Sequence, residues 1–266
     1  MRPEHDVSQF AGDSPVSWET KGRVQVIRLG SPPANAIGRT LLDGLSVALD
    51  AFDASSAKVL VVSSSIPGVF AAGADITQIG NGDRAAFEAF GVAFREPLER
   101  IAAHSRPSIA VVEGLALGGG LELALAATFR IAGDNALFVM PEVKLGLIPG
   151  AGATQRLPRL VGRGNALRLM LLGNEISATE AATMGLVDRV THQGAALDAA
   201  MSLAEELAGL PAPAMAAVMK CVDDSADLSL SAGLAADVVR INDLFDTADA
   251  REGISAFLQG RPPRYA

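Results

Sequence analysis

Two short runs, "KVLVVSSS" at 58–65 and "SIAVVEG" at 108–114, constrain this chain more than any other feature. Each carries an unbroken apolar core, VLVV or IAVV, too short for a helix, so both read as buried strands. Around them the period changes repeatedly. "VSWETKGRVQVIRLGSPP" reads as two strands with a turn at Lys21-Gly22 and a stop at Pro32-Pro33. "IGRTLLDGLSVALDAFDAS" carries helical apolar spacing through Leu41, Leu42, Leu45, Val47, Leu49 and Phe52. "RAAFEAFGVAFREPLERIAAH" is a second helix, with Pro97 as a bend point. "FRIAGDNALFVM" gives two short strands around Asp134 and Asn135. Strand and helix thus alternate through about residue 140, which implies an α/β core with right-handed crossovers. Beyond Pro149 the remaining segments read as nearly all helical, with Gly and Pro marking short loops.

Composition narrows the function classes. Of 266 residues, 49% are hydrophobic and 20% charged, so a large core is affordable and disorder is excluded. So apolar a chain is also suited to burying further surface between subunits. The formal net charge is −8 and no long basic cluster occurs, which disfavours nucleic acid or an anionic membrane as the main partner. Cys221 is the only cysteine; an intrachain disulfide and a cysteine-based metal cluster are both excluded, and a packed thiol is expected. The first residues lack the apolar segment of a signal peptide, and no apolar run reaches membrane-spanning length. A cytoplasmic protein is expected, with residues 1–15 as a loose extension.

"EGLALGGGLELALAA", residues 113–127, poses the functional question. Glycines open a helix whose one charge, Glu122, is surrounded by Leu and Ala, with no polar face for it to join. A solvated surface glutamate is the ordinary alternative, and these neighbours argue against it. Free N–H groups gather at a helix start, and the dipole there favours developing negative charge. Glu122 follows Gly119 by three residues, so carboxylate and N–H share a helix face. In "VFAAGADI", residues 69–76, Gly73 permits an unusual backbone angle that turns the Ala74 N–H outward, and Asp75 can cap a helix. This motif alone is weak, since any strand-to-helix turn has this form. Glu142, in "PEVKLGLIPGAGATQRLPRL", precedes a glycine-rich loop. It is either a loop carboxylate in solvent or the second of two partly buried carboxylates. In the second case one takes a proton from water, the other gives one to carbon, and the pair titrates as a unit.

Other chemistries lack their signatures. The chain has no GxSxG, no GxxxxGK[ST], and no GxGxxG after its first strand. His5, His104 and His192 lie outside the glycine-rich segments, so a histidine-centred triad or zinc site is not indicated, and His104 reads as structural.

The ordered set "PPANAI", "VFAAGADI", "VEGLALGGGLELALAATFRIAG", "PEVKLGLIPGAGATQRLPRLVG" and "REGISAFLQGRPPRY" resembles the enoyl-CoA hydratase (crotonase) family across residues 32–265. The resemblance implies an α/β spiral of ββα turns forming two roughly perpendicular sheets over residues 16–200. It also implies a C-terminal helical trimerisation region, 201–266, and a homotrimer or a hexamer of paired trimers. It places the family's oxyanion-hole N–H groups on Ala74 and Gly119, its two hydratase glutamates on Glu122 and Glu142, and a site-ordering backbone position on Gly150. Coenzyme A, carried by the acyl thioester substrate, would meet main chain near Ala34, Asn35, Ala36, Ala72, Asp75 and Ile76, with Phe257 and Arg261 from the tail. Two features depart from many relatives. Pro33-Ala34 replace a basic residue and a leucine before the asparagine, and the first cation after Phe257 is Arg261. No metal or resident cofactor is implied.

The nearest competing activity is an enoyl-CoA isomerase, which relies chiefly on the carboxylate at the Glu142 position. Retention of Glu122 favours hydration. A non-catalytic acyl-CoA-binding protein is the reading of a different class, because fold alone does not specify activity. The segment after Ile76, with Gly80, Asn81 and Gly82 as a mobile loop, is expected to line the acyl pocket.

Overall fold

A computed structural model describes residues 9–10, 14–80 and 82–265. Most of the expected N-terminal extension, and Asn81 of the expected loop, lie outside the described residues. The strands are β1 (Gln9–Phe10), β2 (Val16–Lys21), β3 (Val24–Leu29), β4 (Val59–Ser64), β5 (Val69–Ala71), β6 (Ser108–Val112), β7 (Leu115–Leu117), β8 (Phe129–Gly133), β9 (Leu137–Val139), β10 (Ile176–Ser177) and β11 (Arg189–Thr191). They form a seven-stranded sheet in the order β1-β2-β3-β4-β6-β8-β11 and a four-stranded sheet in the order β10-β9-β7-β5. The hairpin β2-β3 and the edge pair β1-β2 are antiparallel, and from β3 onward the large sheet is parallel. In the small sheet β5, β7 and β9 are parallel, with β10 antiparallel at one edge.

The helices are α1 (Arg39–Ala54), α2 (Ile76–Ile79), α3 (Arg84–Ala102), α4 (Gly119–Ala126), α5 (Ala153–Leu172), α6 (Ala178–Thr183), α7 (Ala196–Ala208), α8 (Ala212–Asp224), α9 (Leu230–Phe245) and α10 (Ala248–Leu258). A repeating unit emerges: a strand in the large sheet, a short strand in the small sheet, then a helix. β4-β5-α3, β6-β7-α4 and β8-β9-α5 are its three turns. The two short strands expected around Asp134 and Asn135 are present, but they are not a hairpin. β8 pairs with β6, and β9 pairs with β7. The C-terminal third is not wholly helical either: β10 and β11 interrupt it, and β11 closes the large sheet parallel to β8.

The period of two explains why the central strands carry apolar residues on both faces. Val24, Val26, Val59, Val61, Ile109, Val111 and Ile131 face one way, against Ala196, Ala200, Ala204 and Ala208 of α7. Their neighbours Ile27, Leu29, Leu60, Val62, Ala110 and Val112 face the other way, into the main core with α1, α3 and α4. A parallel sheet covered on both faces requires this pattern. The alanines of α7 recur every fourth residue, so one small-residue stripe brings that helix close to the sheet. Among the described residues Arg130 is the one charged side chain buried in these strands, beside the polar Gln25, Ser63 and Ser108. Its guanidinium donates to the carbonyls of Leu186 at 2.7 Å and Ala127 at 2.7 Å, and it pairs with Asp188 at 3.1 Å. Buried charge is tolerated when its donors are met in this way.

In contrast, α8 and α9 contain no fully buried residue. Leu230, Ile241, Phe245, Phe257 and Leu258 of the last helices are all exposed. Among the described residues no helix is long and apolar enough to cross a membrane.

Candidate active site

The small sheet organises the site. The chain leaves the carboxyl ends of β5, β7 and β9 side by side, and each exit contributes one group. After β5 comes Ala74, after β7 comes Gly119, and after β9 comes Glu142. Gly73 has φ +84°, a conformation favoured only by glycine, and it turns the backbone between β5 and Ala74. A Cβ at Gly73 would stand 3.5 Å from the Gly119 nitrogen, which shows how closely the two exits approach. The carbonyl of Gly73 accepts from Ile37 at 2.7 Å, and Asp75 donates to Ile37 at 3.1 Å. Ala74 itself has no protein acceptor for its N–H among the described residues, and neither does Gly119 at the start of α4. Two unpaired donors therefore sit together where a helix dipole favours negative charge.

Glu122, one turn into α4, is 3% exposed, which excludes the solvated-surface reading. Its Oε1 accepts from Ala151 N at 2.7 Å and Ala153 N at 3.1 Å. Those donors belong to the glycine-rich loop and first residue of α5, a helix N-terminus that captures a carboxylate of the same chain. Arg156, one turn along α5, donates to the Ala151 carbonyl at 2.9 Å. Burial pushes the Glu122 carboxyl up, while the two N–H bonds and the Arg156 charge oppose that shift. Ala151, Ala153 and Arg156 are absent from the sequence reading. Arg156, one turn into the helix that follows "GAGAT", was the only side-chain signal, since N–H donors have no residue signature.

Glu142 begins a 3₁₀ turn, Glu142–Leu145, immediately after Pro141. A Cβ on Gly118 would lie 2.7 Å from its Oε1, so the carboxyl sits against the start of α4. Its Oε2 is buried without a hydrogen-bond partner. Burial, with a smaller contribution from the like charge of Glu122, raises its pKa to about 7. The like charge of Glu122 thus acts in the same direction as burial on the Glu142 carboxyl.

Ala72, Ala74, Ile76, Gly119, Glu122, Glu142 and Gly150 share the wall of one cavity of about 260 Å³. Phe87, Phe90 and Phe94 of α3 line it too, with Leu145 and Ile148 from the loop after Glu142. Of the segment expected to line the acyl pocket, Ile79, Phe87, Phe90, Gly91 and Phe94 border this cavity. Other expected contact residues stand outside its wall. Ala34 accepts from Ala72 N at 3.0 Å. Asn35 is fully buried at φ +51°; its amide accepts from Ser31 N at 2.7 Å and donates to Ser64 Oγ at 2.8 Å and Phe70 O at 2.9 Å. Its side chain is thus committed to holding the 31–37 loop, and Ala36 offers only main chain there. Asp75 caps α2, accepting from Thr77 N at 3.1 Å. Phe257 is exposed on α10, and Arg261 forks onto Glu252 at 2.6 and 2.9 Å. Neither reaches the cavity within one protomer.

His104 bonds Asp53 at 2.8 Å and accepts from Arg106 N at 2.9 Å, away from the cavity. Among the described residues no group of three or more His, Cys, Asp or Glu could hold a metal ion.

Comparisons with known proteins place the chain in a family. The probable enoyl-CoA hydratase of Rhizobium meliloti (strain 1021) is 40% identical over 248 residues, covering 93% of this chain and 96% of that one. The 2,3-dehydroadipyl-CoA hydratase of Escherichia coli (strain K12) is 38% identical, covering 91% of this chain and 95% of its own. An enoyl-CoA hydratase structure from Geobacillus kaustophilus HTA426 superposes with a TM-score of 0.92 at 31% identity, covering 97% and 98% of the two chains. The crotonase fold is shared. The family profile described as enoyl-CoA hydratase/isomerase matches residues 19–266, and this chain belongs to that family.

Proposed function

We propose that this protein is an enoyl-CoA hydratase, adding water across the double bond of a trans-2-enoyl-CoA to give a 3-hydroxyacyl-CoA. The observation that carries the reading is the pairing of two carboxyls, Glu122 and Glu142, at one apolar cavity beside two unpaired N–H groups. The thioester oxygen takes the Ala74 and Gly119 N–H groups. Glu122 removes a proton from water, whose oxygen bonds to C3. The C2–C3 π electrons move toward the carbonyl, and the resulting enolate oxygen is held by the two donors, each worth about 3 kcal/mol of barrier. Glu142 then gives its proton to C2. A pKa of about 7 leaves Glu142 substantially protonated near neutrality, which suits a donor. No resident cofactor takes part, because coenzyme A arrives with the substrate.

An isomerase on the same fold is the second reading. It does not explain why Glu122 is buried and clamped by two N–H groups at the cavity wall. Identity to relatives does not select the acyl group, since those with simple and with dicarboxylic names lie at similar identity.

The test is loss of the enoyl absorbance of crotonyl-CoA and longer trans-2-enoyl-CoA esters. Hydration is expected with the parent protein. Glu142→Gln should lower kcat by about 10²–10⁴-fold while acyl-CoA affinity stays nearly unchanged. Silence of every chain length over background would end the hydratase reading, and activity surviving in Glu142→Gln would end the proton-donor role.

A further inference from the structure

Among the described residues, the cavity that holds Glu122 and Glu142 has one more ionisable side chain on its wall, Arg95 of α3. The sequence motifs do not account for it. Its guanidinium lies over Gly91, one turn back on the same helix; a Cβ there would be 3.6 Å from Nη1. The same nitrogen makes a single long hydrogen bond, 3.4 Å, to the Gly150 carbonyl. Among the described residues no carboxylate lies within ion-pair distance of Arg95, although Glu99 stands one turn further along α3. Nor does Glu122 depend on Arg95 for a countercharge. Arg156 fills that role from the other side of the loop. The surrounding wall is apolar, with Phe90, Phe94 and Ile148 among its residues. A guanidinium without a carboxylate partner on such a wall is a donor site for an anion, because its planar N–H groups match a carboxylate.

Position limits which anion. Glu122 Oε1 is 2.7 Å from Ala151 N, and the adjacent Gly150 carbonyl is 3.4 Å from Arg95. The guanidinium therefore lies within about 8 Å of the Glu122 carboxylate. With C3 of the substrate beside the glutamates, a carboxylate two or three bonds further along the acyl chain falls in reach of Arg95. We propose that Arg95 is a specificity determinant that selects short enoyl-CoA chains ending in a carboxylate. The proposal rests on the hydratase reading for the position of C3.

Steady-state hydration of glutaconyl-CoA and trans-2-hexenoyl-CoA, similar in length and different in charge, tests it. The parent protein should favour glutaconyl-CoA in kcat/KM. Loss of a charge-assisted hydrogen bond is worth roughly a 10- to 100-fold change, so Arg95→Leu should lower kcat/KM for glutaconyl-CoA by about that factor. For hexenoyl-CoA the change should stay below about threefold. Arg95→Lys, which keeps the charge, should retain part of the preference. Equal losses on both substrates would overturn the proposal and leave Arg95 as a prop for the Gly150 loop. So would a parent protein with no preference for the charged chain. Should neither ester be hydrated, and crotonyl-CoA and longer enoyl esters be silent too, the hydratase reading fails on its own. Calorimetric affinity for glutaryl-CoA against hexanoyl-CoA, in parent and Arg95→Leu protein, then decides the carboxylate contact separately. A preference that disappears in the variant supports it, and equal affinities overturn it.

Discussion

Glu142 links the site to pH in two ways. Its carboxyl is raised to about 7 in the folded protein, against an ordinary value of 4.5. The folded state therefore holds this proton more tightly than the unfolded chain. The resulting stability is fully present below about 4.5 and is lost as pH rises through about 7. Glu142→Gln should accordingly lose less stability than the parent between those limits, measured by Tm across pH. Removing the like charge should act in the same direction: Glu122→Gln is expected to move the Glu142 titration, followed by carboxyl NMR, to lower pH. At this scale some residues were readable in advance. Glu122 lies amid Leu and Ala with no polar face, and that pattern already pointed to burial. Asn35 was readable as a position but not in its role, because its three-way amide bonding needs the Ser64 and Phe70 strands brought beside it. The Ala151 and Ala153 clamps were invisible, since a backbone N–H belongs to every residue except proline.

Elements show where local pattern stops being sufficient. The periods of two and 3.6 located β3, β4, β6, α1 and α3, because each buries a face that its own sequence spells out. They could not assign β8 and β9 to different sheets, because pairing partners are set by distant strands. β10 and β11 were missed because two or three residues carry too little period to stand out from helical surroundings. Packing of α4 has a sharp test. A Cβ on Gly120 would stand 2.1 Å from the Ala71 carbonyl, so Gly120→Ala forces α4 away from β5. It should destabilise the fold by about 1–3 kcal/mol or more and disturb the Gly119 donor with it. Gly164, in α5, has open space around its Cα; Gly164→Ala should instead stabilise by about 0.5–1 kcal/mol. Denaturant midpoints of the two variants should move in opposite directions.

At the scale of the molecule, exposed apolar side chains gather on α8, α9 and α10. Val218, Leu230, Ile241 and Phe257 are each more than half exposed, which is unusual for a chain that buries its central sheet on both faces. We propose that further copies of the chain cover these helices. Solution mass by light scattering should come out at three or six times 27.3 kDa, and a monomer at micromolar concentration would contradict it. Assembly would also decide whether Phe257 and Arg261 approach a neighbouring cavity, since neither reaches its own. The small sheet has a separate consequence. Ala74, Gly119 and Glu142 each follow the end of a neighbouring parallel strand, so the sheet works as a ruler for the spacing of these groups at the cavity. Strand spacing of about 4.8 Å sets the sideways separation of the groups, and a slip of one residue would displace any of them by about 3.3 Å along its strand. A hydrogen bond does not survive such a displacement. A single residue inserted into β5, β7 or β9 would put one tooth of the site out of mesh with the other two.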